Sequence, residues 1–350
     1  METLSVYRNT AIKKGLWSIR DKKENYHRIL DKAITRFNEE LAAIEQRCLN
    51  HEETHDAIFE AVSKSINDMY IVCEKFESAV GYNTTVKKEA QAKFREKTEY
   101  FLSKSYLFNR ARTWPQGYQG DYMMLETVYR NTPLSIGIGY YLDRYFLSTT
   151  LSVAVRERRV TLSELLKTEL ENRKNPRIFD IACGSSREVF ELAPDIEKSK
   201  GKIIGIDFDS DALKFSVDRM SYTNLSPEQI EFRKYNALRM ASHERNLREF
   251  GMQDIIYSTG LFDYLEDDVL IRLLHSLYKL LNPGGSLVAS FKDCRRYKNF
   301  DTQWLVAWDG FLQRTEEDMW NILEKAEIPR DLLTVTREKS GVIVFFTARK

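Results

Sequence analysis

The sequence predicts an α/β protein, with a seven-stranded, mostly parallel sheet behind an all-helical N-terminal region. Two observations carry this. All seven prolines lie at or beyond Pro115, and only Gly15 and Gly81 precede Gly117, so the first third lacks helix breakers. Beyond Pro176, short apolar runs alternate with helical patterns, as in a parallel sheet covered on both faces.

In the first third, Tyr26, Leu30, Ala33, Phe37, Leu41, Ile44 and Cys48 recur in steps of three and four. Ile58, Val62, Ile66, Met69, Cys73 and Phe76 do much the same. Two long amphipathic helices joined near Asn50 are expected, then a third over 85–108. Such stripes either bury a helical subdomain's core or offer a face for a docking partner or a homodimer. His51-Glu-Glu-Thr-His55 matches the H-E-x-x-H pattern of zinc peptidases. Asn50 suits an N-cap, Glu52 and Glu53 suit a first turn, and no third ligand follows closely. The segment therefore reads as a helix start, and no metal site is expected.

Residues 109–159 change character. Gly117 and Gly120 flank Tyr118 and shape a loop, with Asp121 and Tyr122 opening the helix after it. Tyrosine, tryptophan and arginine crowd next to glycine here, as in ligand-facing loops; the other reading is an interdomain hinge with core aromatics. A further helix over 161–172 leads into the first strand. The expected division is a helical cap or substrate subdomain at 1–160 and a catalytic domain at 161–350.

Strands are expected at 178–182, 203–206, 230–233, 254–258, 286–291, 332–336 and 341–347. The clearest helix between them spans 268–281 and ends at Asn282-Pro-Gly-Gly285, a turn. The last two strands, only a few residues apart, form a hairpin. The stretch Asp180-Ile-Ala-Cys-Gly-Ser-Ser-Arg187 joins the first strand to a helix through a tight turn at Gly184. Glycine there allows close backbone approach, and the new helix offers N–H donors. The second strand stops on Asp207. Strand, glycine turn, helix and a strand ending in an acid make half of a nucleotide-binding unit, in which the acid accepts from ribose hydroxyls. Asp207 could instead cap the turn at Asp209 or Asp211.

The dinucleotide fingerprint G-x-G-x-x-G is absent. The loop resembles the first motif of class I S-adenosylmethionine-dependent methyltransferases, acid-x-G-x-G-x-G, with Asp180 as the leading acid. Ala182 and Ser186 stand where two of its glycines would be. The resemblance covers about residues 176–350 and implies a Rossmann-like methyltransferase sheet with S-adenosylmethionine as cofactor. It implies that Gly184 lets backbone pass the methionine end, that Asp207 with Phe208 beside it holds the ribose, and that Asn236-Ala237 meets the adenine amine. Ser258, Thr259 and Gly260, at the carboxyl end of the fourth strand, complete the cofactor set.

The Ala182–Val189 and Tyr257–Leu265 segments, Gly117-Tyr-Gln-Gly-Asp-Tyr122 and Trp304-Leu-Val-Ala-Trp308 resemble bacterial 3-hydroxypalmitic acid methyl ester synthases and their relatives. This implies methyl transfer to a small-molecule carboxylate or hydroxyl, fatty-acid-like or a natural-product acid. The alternatives are a peptide or protein acceptor docked through the N-terminal helices, and a non-catalytic cofactor-binding protein. A carboxylate is ionised at pH 7 and needs no general base. Arg112, Arg144, Tyr118 and Tyr140 are candidates to orient it. A hydroxyl or amine acceptor would need a base, for which Asp263 is the first candidate; Asp263 is otherwise a helix-capping acid, and Tyr118 is the other candidate catalytic residue. No histidine falls at a predicted strand end. Asp121, Tyr122, Phe262, Tyr264, Trp304 and Trp308 either line the acceptor pocket or are core.

Composition narrows the setting. A net charge of +1 gives no electrostatic case for a nucleic-acid partner. The most apolar long run, 136–155, is broken by Asp143 and Arg144, so no membrane insertion is expected. The N-terminus shows no signal-peptide pattern. Four widely spaced cysteines without a CxxC pair fit a reducing cytoplasm.

Overall fold

A computed structural model describes residues 3–50 and 53–350, the stretch 3–24 as backbone only. The N-terminal helices are α1 (Thr3–Asn50), α2 (His55–Val80), α3 (Thr84–Leu102), α4 (Tyr106–Thr113), α5 (Tyr122–Arg130), α6 (Ile138–Ser148) and α7 (Thr150–Glu171). Then follow β1 (Arg177–Ile181), α8 (Arg187–Glu191), α9 (Ala193–Ser199), β2 (Lys202–Asp207), α10 (Ser210–Met220), β3 (Ile230–Lys234) and α11 (His243–Phe250). The rest is β4 (Gln253–Ser258), α12 (Asp267–Lys279), β5 (Leu281–Lys292), α13 (Asn299–Gln303), α14 (Glu316–Lys325), β6 (Leu333–Arg337) and β7 (Ile343–Arg349).

The chain divides into two compact units. One, helical, takes Met1–Thr113, Thr132–Leu147 and Asn299–Ala307; the other takes Trp114–Asn131, Ser148–Lys298 and Trp308–Lys350. In the helical unit most of the predicted stripes form the core: Leu30, Phe37, Leu41 and Ile44 of α1 and Ile58, Val62, Ile66, Met69, Cys73 and Phe76 of α2 are buried, whereas Tyr26, Ala33 and Cys48 are only half-buried and Ile34 is buried where Ala33 was expected. The expected third helix breaks in two. Phe108 N–H binds Ser105 Oγ at 3.1 Å and Leu107 N–H binds Asp143 Oδ1 at 3.1 Å, so α4 starts afresh under side-chain caps. Asn50 ends α1 instead of capping α2. The N-cap of α2 is Thr54, whose Oγ1 accepts from Ala57 N–H at 3.3 Å. His51 and Glu52 of the zinc-like pattern lie outside the described residues; His55 Nδ1 is 2.9 Å from the Tyr141 hydroxyl.

In the other unit the sheet runs β3-β2-β1-β4-β5-β7-β6, with β7 antiparallel to both neighbours and the other pairs parallel. Period-two alternation covers both faces. Phe179 and Ile181 of β1 pack with Leu270, Leu274 and Leu277 of α12, whereas Ile178 packs with Leu166 and Leu170 of α7 and Ile196 of α9. Helix α7 begins at Thr150, well before the predicted 161, because Thr149 caps it and Leu151 and Ala154 extend its buried stripe. Pro283-Gly-Gly285 lies inside β5, not outside it. The β4–β5 register shifts between Gln253 and Ile255, and a Cβ on Gly285 would stand 2.8 Å from Asn282 O. From β1 the chain turns to β2 and β3 on one side, then to β4 and β5 on the other. The carboxyl ends of β1 and β4 thus flank the topological switch point, where open α/β sheets bind ligands.

No helix among the described residues is long and apolar enough to cross a membrane, and no cluster of three or more metal-ligating side chains occurs among them.

Candidate active site

The turn after β1 keeps the conformation of a glycine loop without its glycines. Backbone φ is +58° at Ala182, +53° at Gly184 and +46° at Ser186. Left-handed backbone costs a residue with a Cβ roughly 1–2 kcal/mol, so two of the three positions store strain. Bonds from Cys183 N–H to Ile206 O at 3.0 Å and from Ser186 N–H to Cys183 O at 2.8 Å hold the turn. A Cβ added to Gly184 would meet nothing nearer than Tyr122 Cβ at 4.0 Å, which leaves its backbone open to a ligand. Helix α8, expected to add dipole and donors, has only five residues, so that contribution is small.

Asp207 closes β2 as predicted and turns back toward this loop. Its Oδ2 accepts from Gly184 N–H at 2.8 Å and its Oδ1 from Asp209 N–H at 2.9 Å. Each carboxylate oxygen carries two lone pairs, so both can still accept from a vicinal diol. That leftover capacity, beside the open face of Gly184, fits the ribose and methionine ends of S-adenosylmethionine. Burial pushes the Asp207 carboxyl above its ordinary value, and the backbone N–H bonds oppose the shift. Phe208, 53% exposed, stands edge-on to the Tyr118 ring with centroids 4.9 Å apart. The Tyr118 hydroxyl donates to Asp209 Oδ2 at 2.9 Å, and burial with that carboxylate drives its pKa upward, so it is no base.

The segment carrying Tyr118 is held to the turn by a network that sequence reasoning missed. Glu126 of α5, 1% exposed, accepts from Ser185 Oγ at 2.7 Å, Arg219 Nη1 at 2.7 Å and Arg187 Nη1 at 3.1 Å. The only available signal was one acid inside the apolar run Tyr122-Met-Met-Leu-Glu-Thr-Val128. Asp121 is the N-cap of α5, accepting from Met124 N–H at 3.0 Å, and the Tyr122 ring lies 5.4 Å from that of Phe215.

Asp180 is buried with Glu188 and Tyr257. Burial first, then the Glu188 charge, raise its carboxyl well above the usual range, against the pull of the Tyr257 hydroxyl. Ser258 Oγ donates to Ile181 O at 2.8 Å and ties the ends of β1 and β4, with Thr259 and Gly260 half-buried beyond. Asn236 is exposed after β3, its Oδ1 accepting from Leu238 N–H at 2.9 Å to cap the turn that Ala237 opens.

Several acceptor-side expectations need correction. Asp263 is neither a free base nor a helix cap: it is buried in an ion pair with Lys292 Nζ, and its Oδ1 also accepts Lys292 N–H at 3.1 Å. Phe262 is core, stacked on Phe291. Arg112 is spent within the helical unit on Leu305 O at 2.8 Å, Glu99 at 2.7 Å, Arg95 O and Thr98 Oγ1. Trp304 is core there, its indole N–H donating to Glu77 Oε1 at 2.7 Å between Phe76 and Phe94. Arg144 pairs with Asp56 at 2.8 Å and lies over Phe59, and Tyr140 packs against His55 and Tyr141. Of the aromatic candidates, Tyr264 remains half-buried beside the Tyr118 loop, its hydroxyl 3.4 Å from where a Cβ of Gly120 would be. Trp308 is half-buried after the helical segment.

Residues 172–327 match a protein family described as a methyltransferase domain. The chain is 25% identical over 172 residues to the tRNA N(3)-methylcytidine methyltransferase Mettl2 of Drosophila melanogaster, a match covering 46% of this chain; the chain spans about half (51%) of that protein's length. A possible exported protein of Bordetella parapertussis shares the fold over 91% of this chain and 96% of its own, with a TM-score of 0.54 and 19% identity. Magnesium protoporphyrin IX methyltransferase of Synechocystis PCC 6803, solved with bound S-adenosylhomocysteine, aligns over 57% of this chain and 85% of its own at a TM-score of 0.43 and 14% identity. The glycine-type turn, the acid that closes β2 and the family match agree: residues 172–327 are a class I methyltransferase domain, an enzyme domain whose cofactor is S-adenosylmethionine.

Proposed function

We propose that the protein methylates a small-molecule carboxylate, fatty-acid-like or a natural-product acid, as the resemblance to the 3-hydroxypalmitic acid methyl ester synthases implies. The observation that carries this reading is the Asp263–Lys292 ion pair. It removes the foremost candidate base from the carboxyl end of the sheet, and burial, then the bond to Asp209, push the Tyr118 hydroxyl upward and keep it protonated. A hydroxyl or amine acceptor would need a base, whereas a carboxylate arrives ionised.

S-adenosylmethionine supplies a methyl group already activated on sulfonium. The work left to the chain is alignment and exclusion of water. Gly184 and Asp207 hold the cofactor, the Glu126 network fixes the turn they sit on, and Tyr264 borders the acceptor side.

The test is methyl-labelled S-adenosylmethionine incubated with purified protein and, separately, 3-hydroxy fatty acids, total tRNA and peptides. Extractable label that mild base releases as methanol is the expected result, because esters hydrolyse. Base-stable label in a small molecule refutes the carboxylate reading. Similarity to the fruit-fly enzyme favours RNA as the second reading, which label in tRNA would establish. Label in peptides would point to a protein acceptor. Cofactor binding with no transfer to any of them would leave a non-catalytic binder.

A further inference from the structure

Arg158 of α7 is 3% exposed, yet it lacks the partners a buried cation requires. Its guanidinium has five N–H donors. Among the described residues one acceptor meets them, the Tyr129 hydroxyl, 3.2 Å from Nη2. None of the described carboxylates comes within ion-pair distance. The acids whose charge it feels, Asp263 and Glu188, are otherwise engaged: Asp263 pairs with Lys292, and Glu188 is buried with Asp180 and Tyr257.

Its position is as informative as its isolation. Nη1 stands 2.9 Å from where a Cβ of Gly260 would be, and Gly260, with φ +94°, follows the carboxyl end of β4 at the switch point. The missing side chain at 260 makes the space that the guanidinium occupies.

We propose that Arg158 is the carboxylate receptor of this site. A planar guanidinium takes a carboxylate through two parallel N–H···O bonds, and that anion would neutralise the buried charge. The proposal rests on the cofactor and acceptor readings above, which offer two sources of one chemistry: the methionine carboxylate of the cofactor and the carboxylate of the acceptor.

Titration calorimetry on the full chain separates them. The probes are S-adenosylhomocysteine, 5′-methylthioadenosine, which lacks the amino-acid end, and decanoate with and without S-adenosylhomocysteine. The proteins are wild type, Arg158→Met and Arg158→Lys. The expected result is at least a tenfold loss of affinity in Arg158→Met for S-adenosylhomocysteine, identifying the cofactor as source, or for decanoate, identifying the acceptor. Methylthioadenosine affinity stays unchanged, and Arg158→Lys, which keeps the charge without the fork, loses less. Should Arg158→Met fail to fold, Arg158→Lys carries the same comparison. Unchanged affinity for both acids overturns the proposal, as does an equal loss for methylthioadenosine, which would mark a structural role. A wild-type protein that binds neither nucleoside probe refutes the cofactor reading instead, and the decanoate arm alone then decides Arg158.

Discussion

Replacing Asp207 with alanine should weaken both cofactor binding and folding, and the geometry sets both magnitudes. Hydrogen bonds to a charged group contribute about 1.5–3 kcal/mol each, so two ribose hydroxyls lose at least about 3 kcal/mol, partly recovered by rehydration. At about 1.4 kcal/mol per decade this is roughly a hundredfold weaker binding of S-adenosylhomocysteine. The same change orphans Gly184 N–H and Asp209 N–H, now bound at 2.8 and 2.9 Å. Asp207 and Asp209 are both buried, so leaving these two donors unsatisfied costs about 1–3 kcal/mol each, less what water recovers at the half-buried Gly184. Asp207→Asn is the sharper variant: its single amide oxygen can satisfy one of the two N–H groups, and its NH2 must face the other. Calorimetry at a temperature where circular dichroism shows all three proteins folded is the assay. An Asp207→Ala protein that binds S-adenosylhomocysteine within threefold of wild type would refute the reasoning.

Further outcomes follow from the same geometry. Because the folded Asp207 pKa is raised above 3.8, its carboxylate is stabilising for ribose but unfavourable for folding. Its contribution to stability is present at low pH and lost as pH rises through the folded pKa, whereas cofactor affinity should fall on acidification already above pH 3.8; Asp207→Asn should flatten that profile. Ala182→Gly and Ser186→Gly should each stabilise by about 0.5–1 kcal/mol, the strain released less the entropy gained by the unfolded chain, as read from urea midpoints. A lower midpoint in both would mean the turn is not strained. Asp263→Ala strands the buried Lys292 ammonium and should cost about 3–5 kcal/mol at pH 7. Burial already holds the Lys292 pKa below 10.5, so neutralisation should restore part of that stability as pH rises toward 10.5; a variant equally unstable at both pH values would disprove the stranded-charge account.

The sheet was legible because its central strands carry short apolar runs between breakers, and the run's end marks where side chains leave the core. Asp207 and Gly184 could be placed from sequence for that reason. Helix limits were less legible where side chains from distant segments decide them: Asp143, met far along the chain, begins α4 by binding Leu107 N–H. The acceptor side was the least legible. An acid at the end of a strand looks the same in one dimension whether it faces a substrate or, like Asp263, a lysine from the next strand. Arginine near glycine suggested a ligand, yet Arg112 is spent on Leu305 O, Arg95 O, Glu99 and Thr98, and Trp304, a separate candidate, bonds Glu77 in the same helical unit. Arg158 and Glu126 escaped notice because nothing local distinguishes a buried charge within a helix from a solvated one.

The bond between Trp304 and Glu77 spans 227 positions, and this has a consequence for how the protein is made. At about 5–20 residues per second of synthesis, Phe76, Glu77 and Phe94 emerge from the ribosome roughly 10–45 seconds before the indole that fills the space between them. During that interval α2 and α3 can pack only on α1 and on each other, the space between Phe76 and Phe94 lacks its indole, and the nascent chain is exposed to chaperones, proteases and neighbouring ribosomes.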